Sequence, residues 1–222
     1  MDITGLLVLT AIAGVSVGLA RQCRRPAWWP GQLIARSMNA RHLGVTSWGL
    51  QQVTFEPAFT ILDVGCGGGR TIQQLSALAP RGRVYGIDYS AASVAVARKV
   101  NTASIAHGLV DIRCGSVSNL PFSPETFDVV TAVESHYYWP DLGRDLQEIR
   151  RVLKPGGRAV IIAEAYRDKR LGAAERIAMG LLGGRLLTLR EHRDALVTAG
   201  YSDVEVFEER RRGWMCAVGT KG

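Results

Sequence analysis

Residues Ile61-Leu-Asp-Val-Gly65-Cys-Gly-Gly-Gly-Arg70 decide how this chain is read: an apolar strand runs into an acid and then into a turn with glycine at 65, 67, 68 and 69. A side chain at those positions would hold a small molecule off the backbone, whereas bare glycine lets main-chain N–H groups and the first turn of the next helix approach it. The turn is suited to a nucleotide-like ligand. The spacing narrows the choice, because a dinucleotide fingerprint counted from Gly65 requires glycine at position 70, where Arg70 stands. No Gly-Lys-Ser or Gly-Lys-Thr follows, so a phosphate-cradling P-loop is excluded as well.

Asp63, just ahead of the glycines, repels phosphate and favours a ligand with cationic groups. S-adenosylmethionine, with its sulfonium and ammonium, is such a ligand. A second strand, Arg83-Val-Tyr-Gly-Ile-Asp88, ends on a carboxylate able to accept hydrogen bonds from two vicinal ribose hydroxyls. With Leu62-Asp-Val-Gly-Cys-Gly-Gly-Gly, Gly86-Ile-Asp-Tyr-Ser, Asn119-Leu-Pro-Phe, Phe127-Asp-Val-Val and Leu153-Lys-Pro-Gly-Gly in that order, the chain from Thr60 to Lys221 resembles the class I S-adenosylmethionine-dependent methyltransferases. Within that family it looks most like the small-molecule branch that includes ubiquinone and menaquinone C-methyltransferases.

The elements expected beyond Pro57 alternate: strand 60–64, helix 69–79, strand 83–87, helix 90–106, strand 110–114, strand 127–133, helix 141–153, strand 157–165, helix 189–200, and strands 203–209 and 213–219. Such alternation gives an α/β fold, a mostly parallel sheet with helices on both faces. The resemblance implies a three-layer Rossmann-like methyltransferase sheet of order 3-2-1-4-5-7-6 with the last strand pair antiparallel. In the helix from Asp141, Leu142, Leu146, Ile149 and Leu153 form one stripe, and Arg144, Asp145, Glu148 and Arg151 are expected off it.

Ile3 to Ala20 carries no charge, and as a helix of 18 residues would span roughly 27 Å, about the thickness of a hydrocarbon core. Arg21, Arg24, Arg25, Trp28 and Trp29 follow, where headgroups would lie. The expected organisation is a transmembrane anchor over 1–25, linker and lid helices over 26–57, and the methyltransferase domain over 58–222. The basic flank places the large domain on the cytoplasmic side of the membrane, as a single-pass protein. A cleavable signal peptide and a peripheral or partner-bound helix are the competing readings; for the first, a basic n-region is missing and Leu19-Ala20-Arg21 is a poor cleavage context.

The net charge of +7 belongs mostly to the ends. Ile3 to Phe55 has five arginines and no acid, while Glu56 to Tyr166 balances at eleven of each sign. A nucleic-acid footprint is therefore disfavoured. Cys23, Cys66, Cys114 and Cys216 are scattered, with no Cys-x-x-Cys and no metal-ligand spacing, which suits a reducing compartment and indicates neither disulfides nor zinc.

Carried over from the family, Asp63, Gly65, Cys66, Gly67 and Gly69 would line the methionine end of the cofactor, Asp88 would hold the ribose, and Tyr89 would lie against the adenine. Ser116 and Val117 would complete that pocket, with Ser116 standing where the family often has an acid. After the fourth strand comes Glu134-Ser-His-Tyr-Tyr-Trp-Pro140, expected to face the donor methyl. His136 is the best candidate for a general base, with Glu134 and Tyr137 beside it, since imidazole titrates near neutrality, and a structural or substrate-shaping histidine is the alternative reading. Tyr137, Tyr138 and Trp139 are candidates for an aromatic wall that meets the sulfonium and admits a flat or greasy acceptor. Arg41, His42 and Trp48 fall in the lid segment.

The expected activity is methyl transfer from S-adenosylmethionine to a small lipophilic acceptor at the membrane face. A catalytically silent cofactor-binding membrane subunit and an RNA or protein methyltransferase are the alternatives.

Overall fold

The computed structural model describes residues 42–168, 179–180 and 183–222. The anchor expected over 1–25, and Arg41, lie outside the described residues. Among those described, no helix is long and apolar enough to cross a membrane.

Helix α1 (Leu43–Leu50) precedes an alternating series: β1 (Thr60–Val64), α2 (Arg70–Leu78), β2 (Arg83–Asp88), α3 (Ala91–Val100), α4 (Thr102–Ala106), β3 (Val110–Cys114), β4 (Phe127–Val133), α5 (Leu142–Val152), β5 (Leu153–Ala163), α6 (Leu189–Thr198), β6 (Tyr201–Glu209) and β7 (Trp214–Lys221). A single turn of 3-10 helix, His136–Tyr138, lies between β4 and α5. The seven strands form one sheet in the order β3-β2-β1-β4-β5-β7-β6. The first five run parallel, and β7 pairs antiparallel with both β5 and β6. This is the order that the resemblance implied.

The sheet's two faces carry separate cores. Ile72 and Leu75 of α2, Val94 and Ala97 of α3, and Val45 and Leu50 of α1 pack on one. Leu146, Ile149 and Val152 of α5, with Leu196 of α6, pack on the other. Burial of these side chains is the main driving force for the three layers, at about 25 cal/mol per Å² of apolar surface removed from water. Because β1 connects outward to β2 on one side and pairs with β4 on the other, the carboxyl ends of β1 and β4 flank a topological switch point, where open α/β sheets hold ligands.

Several boundaries differ from expectation for local reasons. The helix expected over 90–106 breaks into α3 and α4 at Asn101, whose backbone leaves the helical region with φ −107° and ψ 20° and whose side-chain amide donates to the Gly69 and Ala97 carbonyls. Strand β5 begins at Leu153, four residues early, because Phe127 pairs with Leu153 across a register shift in the β4–β5 ladder. Asp145 is fully buried instead of lying off the apolar stripe. Its carboxylate accepts the Asp141 N–H at 3.1 Å, a local contact that periodicity does not reveal.

Two packing contacts fix the upper edge of the sheet. Gly49 of α1 sits against β5 so closely that an added Cβ would lie 2.5 Å from Ile162 Cγ1, and the Cys216 thiol reaches the Gly49 carbonyl at 3.6 Å. On the opposite face His136 meets His192 of α6, with Nε2 to Nε2 at 3.0 Å. His192 Nδ1 faces the Thr188 carbonyl at 2.7 Å and must donate to it, which leaves His192 Nε2 as acceptor and His136 Nε2 as donor. Burial, which disfavours the charged form of each ring, favours this neutral pair. Burial depresses both pKa values, helped for His136 by the neighbouring His192 and opposed for His192 by its bond to Thr188.

Gly49→Ala is expected to force α1 off the sheet and destabilise by about 1–3 kcal/mol, a Tm drop of roughly 2–12 °C for a chain of this size, read by calorimetry. The histidine pair gives a pH signature. An unfolded histidine takes up a proton near pH 6.5 whereas the buried pair resists it, so the stability present above that pH is lost on acidification. Relative to a His136→Gln/His192→Gln variant, the wild type should therefore lose Tm between pH 7.5 and 5.5; parallel curves would show that the pair does not titrate on unfolding.

Candidate functional site

A cleft of about 300 Å³ opens at the carboxyl ends of β1, β2 and β4. Its floor is the glycine turn. Gly65 and Gly67 have φ of +73° and +50°, in the left-handed region where a side chain is strained. At Gly65 an added Cβ would also fall 2.5 Å from Ser135 Cβ, while at Gly67 it would meet nothing within 4 Å, so that glycine leaves open space in the cleft. The turn is held by N–H bonds from Gly65 and Cys66 to the Ile87 carbonyl, at 2.8 and 3.1 Å, and by the Ser135 hydroxyl donating to the Val64 carbonyl at 2.8 Å.

Asp88 is bound on both carboxylate oxygens, accepting from Gly67 N–H at 2.9 Å and Ser90 N–H at 2.8 Å. Burial raises its pKa, and these two bonds pull it back. Each oxygen retains a lone pair, so the carboxylate is prepositioned to accept two hydroxyl hydrogens. Tyr89, 43% exposed, stands at the rim, and Ser116 and Val117 complete that side. Of the residues expected to hold the cofactor, Gly65, Cys66, Gly67, Asp88, Tyr89, Ser116 and Val117 line this one cleft. The Cys66 side chain packs against Gly86 and Ile72, and burial, followed by Asp88 and Asp63, keeps its thiol protonated, well away from nucleophilic use.

Two expected residues lie elsewhere. Asp63 is buried and outside the lining. It accepts the Thr131 hydroxyl at 2.7 Å, and burial raises its pKa to about 7 against that bond. Gly69 is the left-handed N-cap of α2, and it needs to be glycine because an added Cβ would strike Asn101 and Ala97 within 3 Å. Its role is packing.

The segment after β4 divides in the same way. Glu134, Ser135, Tyr138, Trp139 and Pro140 line the cleft. His136 does not: its ring is turned to His192, and with a depressed pKa it is not placed to take a proton from anything in the cleft. Tyr137 is buried too, and donates its hydroxyl to Glu134 Oε2 at 3.0 Å. The aromatic wall is therefore Tyr138 and Trp139. Trp48, expected in the lid, packs on Trp214 with ring centroids 6.2 Å apart.

Glu134 is the candidate base that the geometry favours. Its backbone is left-handed, with φ of +53°, a conformation uncommon for a residue other than glycine and one that reorients the chain as it leaves β4. One carboxylate oxygen receives the Tyr137 hydroxyl, and the other receives the Glu164 N–H. Burial lifts its pKa to about 7, His42 pulls it down, and Glu164 pushes it further up. His42, at the N-cap of α1, lines the cleft as well, and its Nδ1 is 3.4 Å from Glu164 Oε1. Acceptor and donor atoms of His42, Glu134 and Glu164 all fall within 4.8 Å of one another. The sequence reading did not single out Glu164, though its place directly after β5, at the same sheet edge as Asp88 and Glu134, was the available signal.

The residues present fit S-adenosylmethionine. The glycine-floored cleft offers a prepositioned carboxylate for the ribose, an open position at Gly67 and an aromatic wall. A family profile described as a methyltransferase domain matches residues 62–161. Over 112 residues the chain is 39% identical to a demethylmenaquinone methyltransferase of Symbiobacterium thermophilum, covering 50% of this chain and 45% of that protein. Over 162 residues it is 31% identical to 24-methylenesterol C-methyltransferase 3 of Arabidopsis thaliana, covering 71% of this chain and 45% of the relative. The chain thus spans about half the length of these relatives. Among solved structures, an Aquifex aeolicus SAM-dependent methyltransferase shares the fold, with a TM-score of 0.69 at 21% identity, over 86% of this chain and 98% of that one. Together with the five ordered motifs, the strand order and the cleft, these likenesses show a methyltransferase domain over residues 62–161, carried on the fold of the class I S-adenosylmethionine-dependent methyltransferases.

Proposed function

We propose that this protein transfers a methyl group from S-adenosylmethionine to a small lipophilic acceptor of the quinone or sterol type, with Glu134 as the base. The observation that carries the base assignment is a carboxyl group in the wall of the cofactor cleft, held by hydrogen bonds on both oxygens and with its pKa raised to about 7. The acceptor class is supported by the relatives named for demethylmenaquinone and 24-methylenesterol methylation and by the Tyr138–Trp139–Pro140 wall.

S-adenosylmethionine supplies a methyl already activated on a sulfonium, so the protein's work is placement, and an in-line displacement needs the two reactants held at attack distance. Such placement is worth about 7–11 kcal/mol of barrier. Asp88 orients the ribose end, the glycine turn sets depth, and Tyr138 and Trp139 offer aromatic faces to a cation and to a flat acceptor. Glu134, when ionised, takes the proton that the acceptor gives up as its new bond to the methyl carbon forms, and the bonding pair of the broken S–CH₃ bond stays on sulfur. A carboxyl with its pKa near the working pH is well matched to this step. The charge-free stretch Ile3–Ala20, followed by Arg21, Arg24 and Arg25, supports a single-pass anchor that presents the cleft to lipid-dissolved acceptors at the cytoplasmic membrane face.

Incubation of the full chain with methyl-labelled S-adenosylmethionine and a mixture of reduced lipid quinones and sterols should put label into the lipid fraction; label found only in RNA or protein would overturn the acceptor class. Glu134→Gln should lower kcat by on the order of 10²–10⁴-fold while leaving cofactor affinity measured by calorimetry unchanged. Because the base must be ionised, kcat/KM of the wild type should fall as pH drops below about 7, and that limb should vanish in the Gln variant.

A further inference from the structure

We infer that His42 is the positioning residue that keeps Glu134 ready to accept a proton, and that it acts only while α1 is seated on the sheet. The inference rests on Glu134 being the base and extends that reading to how the base is assembled.

Three elements bring titratable groups to one point: α1 contributes His42 at its N-cap, the end of β4 contributes Glu134, and the residue after β5 is Glu164. Facing Glu134 are the Tyr137 hydroxyl, the Glu164 backbone and carboxyl, and the His42 ring. Of these, His42 is the one able to carry positive charge. Two carboxyl groups this close and this withdrawn from water disfavour each other's ionisation, and a cationic group a few ångströms away reverses that preference. Without His42, the preference of this carboxyl for its protonated form would be stronger.

The backbone of His42 is held beside this cluster while α1 is packed. Its carbonyl accepts both the Thr46 N–H at 3.0 Å and the Thr46 hydroxyl at 2.7 Å, tying it to the first turn. One and two helical turns further on, Val45, Gly49 and Leu50 are buried, with Gly49 over Ile162. The same helix closes the cleft, since His42, Leu43 and Thr46 all line it. The seating of this helix and the placement of His42 beside Glu134 are thereby tied together.

The test reads the carboxyl directly and needs no acceptor. The full chain is labelled with ¹³C at the glutamate side-chain carboxyl, the Glu134 resonance is assigned by its loss in Glu134→Gln, and its midpoint is followed from pH 4 to 9. His42→Gln should raise that midpoint by about one unit or more, His42→Lys should bring it back toward the wild-type value, and Glu164→Gln should lower it. In turnover assays the acidic limb of kcat/KM should move upward by the same amount in His42→Gln. An unmoved Glu134 midpoint in His42→Gln, in a variant whose Tm matches the wild type, would overturn the inference. So would stoichiometric retention of manganese or zinc by the wild type that is lost in both the His42 and Glu164 variants, because the three side chains would then be ligands. A shifted midpoint with full turnover by Glu134→Gln would leave the electrostatic link standing and remove the base assignment, so the two failures are distinguishable.

Discussion

Everything in the cleft depends on the close meeting of three strand ends at Gly65. The chain leaving β1 must turn with positive φ, its amide is held by the Ile87 carbonyl from the end of β2, and Ser135 from the end of β4 approaches to a distance that no side chain would permit. Sheet pairing brings β1, β2 and β4 side by side. The glycine draws them together. That contact creates the floor on which Asp88 and Glu134, carried by different strands, share one lining.

The glycine turn also explains why the acids nearby behave so differently. Asp63, one strand residue before the turn, points into the packed interior and is satisfied by Thr131. Asp88 receives two backbone N–H groups and stands at the cleft. Glu134 has a hydroxyl and one N–H, another carboxyl beside it and an imidazole in reach. All three lose solvation on folding, and all three are raised. What separates them is whether hydrogen bonds or charges compensate, and whether a ligand can reach the oxygen.

The parts of this arrangement that local sequence dictates were legible before any coordinates. Strand ends at Val64 and Val133 follow from apolar runs stopped by glycine or by an acid, and the end at Cys114 from an alternating run stopped by Gly115. The cofactor side of the cleft followed from glycine spacing and Asp88, because those groups act through the backbone immediately around them. Side-chain direction was not legible. His136 lies two residues past Glu134, both fall within a dense polar and aromatic run, and nothing local says which one faces the cleft. The choice is made by His192, 56 residues on, which offers the imidazole a buried partner. Asp145 was misplaced for the same reason, since its partner is a backbone amide revealed only by how the chain enters α5.

Glu164 and His42 show a further limit. Neither sits in a motif, and their sequence neighbours say little about them. Their significance comes from two packing decisions made far away, the antiparallel docking of β7 against β5 and the fit of Gly49 on Ile162, which together fix where α1 begins. An acid–base site built this way depends on the stability of the layer that carries it. Electrostatic coupling among partly buried groups falls steeply once water enters, because the effective dielectric rises toward that of the solvent. A small displacement of α1 therefore weakens the hold of His42 on Glu134 well before it would unfold the sheet. In this fold the fidelity of the chemistry and the packing of an apolar helix face are set by the same few contacts.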